Sequence, residues 1–172
     1  MKPIKTLFTL AILICAYAQA ESPRLSLSIT EAIGATDARQ CALPARLVQM
    51  HPESWKKKIT YQVTDADITG WDPVKGIWNV SGASIPAPDI ARRVVDRCFI
   101  ILVDGKPVAS GVALWTYSAR LMRMPVLGVS ASADSVSFRL GANYASQSSM
   151  PVVWDAINKA LEGKPQPAST AE

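Results

Sequence analysis

Histidine is almost missing from this chain: His51 is the single one in 172 residues. A histidine-based zinc site is therefore excluded unless carboxylates supply the other ligands. A Ser-His-Asp triad would have to use His51, wedged between Met50 and Pro52, and no Gly-x-Ser-x-Gly elbow presents a nucleophile to it. No phosphate-cradling loop or dinucleotide fingerprint occurs either. After the first twenty residues no apolar run approaches the roughly 18 residues of a membrane span. Charge of one sign is not in excess: with Lys2 and Lys5 set aside, 16 basic residues face 14 acidic ones, which argues against nucleic acid as a partner. These absences predict no cofactor and no metal.

What is present begins with an export leader. Lys2 and Lys5 precede an apolar stretch from Leu7 to Tyr17, and Ala18-Gln19-Ala20 has the small-x-small pattern of a cleavage site. Residues 1–20 are read as a signal peptide and the mature chain as beginning near Glu21, in the periplasm or secreted. Cys15 follows Ile14 where a lipid-anchored cysteine would need a small residue. Cleavage leaves Cys41 and Cys98, an even pair that reads as one intrachain disulfide in an oxidising compartment. The remaining length suits one globular domain, residues 21–163, followed by a small, polar, proline-containing tail, 164–172, expected to be disordered.

Strand patterns dominate that domain. Leu25, Leu27 and Ile29 alternate with Ser26 and Ser28; Ile59 to Val63, Ile77 to Val80, Val126 to Val129 and Val136 to Leu140 are similar short segments. Asp104-Gly105 between the apolar runs 98–103 and 108–115 predicts a type I′ hairpin, since both residues tolerate positive φ. Gly111 inside the second arm marks a bulge or a close backbone approach. Ile90, Val94 and Val95 recur at helical spacing after Ala87-Pro88-Asp89. Val153, Trp154, Ile157, Ala160 and Leu161 do so after Ser148-Ser149-Met150-Pro151, and Gly163 stops the run. The expected fold is α+β, mainly β: an antiparallel sandwich or small barrel of six or seven short strands with an amphipathic C-terminal helix.

Candidate chemistry is sparse. Ser54 and Lys57 match Ser-x-x-Lys, but Pro52 and the neighbouring Lys56 and Lys58 suggest a solvated segment, where the amine would be a poor base. Asp65, Asp67 and Asp72 cluster around a turn without the glycine and distal glutamate of a calcium loop. Asn79-Val80-Ser81 fits a glycosylation acceptor on a strand. Of the five tryptophans, Trp115 and Trp154 sit on periodic elements and are assigned to the core, whereas Trp55 and Trp71 lie in turn-rich segments where an indole either lids the core or, half out of water, marks a contact surface.

The segment Tyr117 to Pro125 reads YSARLMRMP. If strand parity continued through it, Arg120, Met122 and Met124 would share one face and Tyr117, Leu121 and Arg123 the other, so neither face would be cleanly apolar. Arginine and methionine suit adaptable interfaces, and the competing reading is an edge strand protected by its arginines. Tyr117, Arg120, Leu121, Met122, Arg123, Met124 and Trp71 are thus the candidate binding residues. The sequence points to an exported, non-catalytic protein that binds another protein: an inhibitor, an immunity or exclusion factor, or an accessory subunit. The alternatives are a small hydrolase using Ser54 and Lys57, or a carrier of a lipid or small ligand in a barrel cavity.

Overall fold

A computed structural model describes residues 23–32, 41, 59–81, 86–120, 122, 124–141 and 150–165. Eight strands form one curled, half-barrel sheet: β1 (Leu25–Ala32), β2 (Ile59–Thr64), β3 (Ile68–Asp72), β4 (Ile77–Ser81), β5 (Arg97–Val103), β6 (Lys106–Trp115), β7 (Val126–Ala131) and β8 (Ser135–Gly141). Among the described residues two short helices accompany it, α1 (Ala87–Val94) and α2 (Met150–Ala160). The order across the sheet is β2-β1-β5-β6-β7-β8-β4-β3. The mainly-β expectation holds, with a correction: the sheet is mixed, because β6 and β7 pair in parallel while every other neighbouring pair is antiparallel.

The alternation of the strands sorts side chains onto two faces. Leu25, Leu27, Phe99, Ile101, Ala113, Leu127, Val129, Phe138 and Leu140 point to the inner face, where they join Ile90 and Val94 of α1 and Val153 and Ile157 of α2 in one buried core. Helix α1 forms as its spacing predicts, burying Ala87, Ile90, Ala91 and Val94 while Arg92 and Arg93 remain exposed. Its end is set by Asp96, whose φ of 57° turns the chain and whose N–H donates to Ala113 O at 2.9 Å. Asparagine and aspartate are among the few non-glycine residues that tolerate this left-handed region. Gly163, at φ 88°, follows the second helix in the same manner.

The hairpin expected at Asp104-Gly105 is present, with φ of 47° and 73° at the two turn residues. Gly111 marks a close approach and not the bulge, which falls between Ile101 and Leu102. Strand β1 departs from a half-buried pattern. It lies between β2 and β5, and its polar face is also covered: Ser26, Ser28 and Thr30 are all buried, with Ser26 Oγ accepting from Gln62 Nε2 at 2.5 Å.

Strands β2 and β3 are consecutive in the chain yet occupy opposite edges of the sheet. The turn between them is tied by Asp67, which accepts from Thr64 N at 2.8 Å and Thr64 Oγ1 at 2.9 Å, so the curled sheet has its two edges joined at one corner. Asp72 likewise accepts from the amides of Val74 and Lys75. Turn chemistry thus occupies both carboxylates. Asn79 Oδ1 accepts from Ser137 Oγ across β4 and β8 at 2.7 Å, which engages the amide of the possible glycosylation site.

Trp71 requires a correction. It is only 4 % exposed, tilted against Trp78 and stacked on Trp154 with ring centroids 5.9 Å apart. Its indole N–H donates to Asn158 Oδ1 at 3.1 Å, and its backbone N–H to Pro165 O at 2.9 Å. The turn residues around it left two readings open, contact surface or lid on the core, and its burial bears out the second. Tertiary packing of α2 against β3 places it in the core, and Pro165, at the start of the expected tail, docks beside it. Trp154, assigned to the core, is partly buried at its margin and lies over Gly76.

Candidate functional site

A parallel pair of adjacent strands cannot be joined by a tight hairpin turn; the chain must travel back along the sheet before the second strand starts. Here the return is residues 116–125, with no helix among its described residues. That requirement explains why the YSARLMRMP segment has no clean strand parity. It is a strap across the outer face of the sheet.

Both ends of the strap are fixed by backbone contacts. Thr116 N–H donates to Val129 O at 3.0 Å, Ser118 N–H to Trp115 O at 2.9 Å, and Val112 N–H to Pro125 O at 3.2 Å. Between them Met124 is buried and Met122 half-buried against Val112 and Leu114, beside the Cys41–Cys98 disulfide. Met124 is therefore a correction to the candidate binding set: it is an anchor that holds the strap down. The opposite side of the segment faces water. Tyr117 is 79 % exposed and lies face to face on Trp115, with centroids 5.6 Å apart and an interplanar angle of 10°. Trp115 itself is half-buried, at the margin of the core to which it was assigned. Arg120 Nη1 donates to Asp96 Oδ1 at 2.6 Å, both side chains being more than half exposed. Leu121 and Arg123 lie outside the described residues, as do Ser54, Lys57, His51 and Trp55.

Beside the strap is a cavity of about 200 Å³. Leu114 and Val126 supply apolar lining on the outer face of β6 and β7. Gly128 and Gly141 contribute no side chain there; the space over Gly128 is taken by the Thr116 methyl, which a β-carbon would meet at 3.2 Å, whereas a β-carbon on Gly141 would meet only Val126 O at 3.6 Å. Thr116, Ser118 and Arg120 bound it on the strap side and Arg139 on the β8 side. The register creates this grouping: Leu114 is opposite Gly128 across the parallel pair, and Gly128 is opposite Arg139 across the antiparallel one. Among the described residues Arg139 has no ion-pair partner and no acidic side chain lines the cavity.

Of the residues singled out from sequence, Arg120 lines this cavity, Tyr117 stacks on Trp115 at its margin, and Met122 and Met124 pack with Leu114 and Val126 of its apolar side. Arg139, Asp96 and the two glycines were missed. Arg139 reads as one more polar position on an alternating strand, and only the adjacency of β6, β7 and β8 brings it to the strap. Among the described residues no group of three or more histidine, cysteine or acidic side chains gathers as a metal centre would require. No helix among them is long and apolar enough to cross a membrane. The disulfide is compatible with an oxidising compartment.

No family model, no curated protein and no solved structure matches this chain.

Proposed function

We propose that this chain is an exported, non-catalytic protein-binding protein of the cell envelope, working as an inhibitor, an immunity or exclusion factor, or an accessory subunit, and that it meets its partner through the strap and the adjoining cavity. The observation that carries this reading is Tyr117, a large side chain 79 % exposed yet already stacked on Trp115. An aromatic ring held in place before contact loses little freedom on binding, and tyrosine and arginine dominate the energetics of protein interfaces. Trp115 beneath it packs against the main core, and the methionine anchors beside the disulfide hold the far end of the strap to the sheet. A carrier would need an open space between sheet and helices, and that space is filled by Ile90, Val94, Ile157 and Leu161.

A photo-reactive phenylalanine analogue at position 117, expressed in the native envelope, tests the reading. Its control is the same analogue at Val74, which is 91 % exposed on the β3–β4 turn. A discrete protein adduct from position 117 and none from position 74 is the expected result. Equal labelling from both positions, or no adduct from either, would overturn the proposal.

A further inference from the structure

We infer that the cavity receives one carboxylate side chain, an aspartate or glutamate of the partner protein, which inserts between Arg139 and Arg120. This inference rests on the protein-binding reading above and adds what the partner must present. The cavity's volume, about 200 Å³, falls below the range of roughly 300–1,000 Å³ typical of small-molecule sites, but it suits a single inserted side chain. Its charge is also defined. Arg139 and Arg120 contribute two positive charges and Asp96, bound to Arg120, one negative, leaving a single net positive charge for an incoming anion.

A carboxylate matches that balance. A phosphomonoester, carrying about −1.5 to −2 charges at neutral pH, would be left under-neutralised. Two guanidinium groups on one short patch are also far from the basic stripe that tracks a nucleic-acid backbone. The donor geometry is consistent with the same ligand. Asp96 engages one terminal nitrogen of Arg120 and fixes the side chain, while a guanidinium has five N–H donors, so others remain for a second acceptor. No hydrogen bond or ion pair engages the Arg139 side chain among the described residues, so its fork suits a bidentate contact. Ser118 and Thr116 line the same side as Arg120, with Ser118 Oγ accepting from the Arg120 backbone N–H at 3.4 Å, and the apolar lining from Leu114 and Val126 reduces the solvent screening of the contact.

The test uses the oxidised mature protein and a displayed library of random twelve-residue peptides, selected on the wild type and counter-selected on Arg139→Glu. The peptides recovered are expected to share an aspartate or glutamate. Replacing that residue by its amide should weaken binding about tenfold. Arg139→Glu should weaken it similarly, Arg139→Lys less, and the lysine-substituted peptide should regain affinity for Arg139→Glu. Inorganic phosphate should compete only weakly. Circular dichroism and an intact disulfide in Arg139→Gln and Arg139→Glu keep loss of folding apart from loss of binding.

Recovery of no such peptide, recovery of peptides without a shared acid, or strong competition by phosphate overturns the carboxylate inference. If the adduct at position 117 persists in that event, the protein-binding reading stands without it. If the adduct is absent too, both fall.

Discussion

Gly111 and Pro125 approach so closely that a β-carbon on the glycine would stand 1.9 Å from the proline's carbonyl oxygen. The neighbouring Val112 N–H donates to that same oxygen. The absent side chain at position 111 thus lets the strap return to the sheet at the point where β7 begins, and it fixes where Arg120 and Tyr117 stand relative to Arg139.

Gly111→Ala should therefore destabilise the fold by about 1–3 kcal/mol, the range for forcing extra carbon into a packed site. The obstructing atom is backbone, which cannot swing aside. Gly141→Ala provides the contrast, since its β-carbon would meet only Val126 O at an ordinary 3.6 Å, and its effect should stay within about 0.5 kcal/mol. Urea denaturation followed by tryptophan fluorescence distinguishes the two. Equal midpoints would contradict the close approach.

The disulfide joins residues 57 apart in sequence and secures Cys41 against Val112, Leu114 and Met124 on the outer face. On the chain-entropy account a loop of that length contributes roughly 4 kcal/mol. The paired substitution Cys41→Ser and Cys98→Ser should lower stability by about that amount, read as a fall in urea midpoint. An unchanged midpoint would show that the cross-link does not constrain the unfolded chain.

Tyr61 on β2 supplies a pH dependence. Burial raises its phenol above the ordinary value near 10, and the Asp67 carboxylate raises it further, against a smaller opposing effect from Arg93. Between the unfolded and folded pKa values the unfolded chain holds fewer protons, so stability falls as pH rises. The contribution is fully present below the unfolded pKa and is lost as pH climbs through the folded one. Wild type should therefore lose more stability than Tyr61→Phe between about pH 9 and pH 11, checked by paired urea titrations. Parallel curves would remove Tyr61 as the cause.

How much of this was legible in the sequence depended on how local the determining contacts are. Asp104-Gly105 specifies its own turn, and Ile90 with Val94, or Val153 with Ile157, specifies a helix face within a few residues. Trp71 and Arg139 could not be placed that way. The surroundings of Trp71 are chemically those of a turn, and its burial comes from Trp154, Asn158 and Pro165 at the far end of the chain. The strap was legible as anomalous, through its mixed parity, but not as a parallel crossover. Nothing between Trp115 and Val126 announces that the next strand runs alongside the last in the same direction. Without that knowledge β8 cannot be set beside β7, and Arg139 is one more exposed position.

The corner at Thr64–Ile68, which links the first and last strands of the sheet, also bears on the order in which the molecule can assemble. Hairpins β3–β4, β5–β6 and β7–β8 need only short loops to close, whereas β1 must find β5 and β4 must find β8 across much longer stretches of chain. Rate should follow those distant encounters. The late events are then the docking of β1 on β5 and of β4 on β8, whereas the parallel seam of β6 and β7 closes over the short stretch 116–125, so the segment proposed to face the partner is set in place before the sheet is complete.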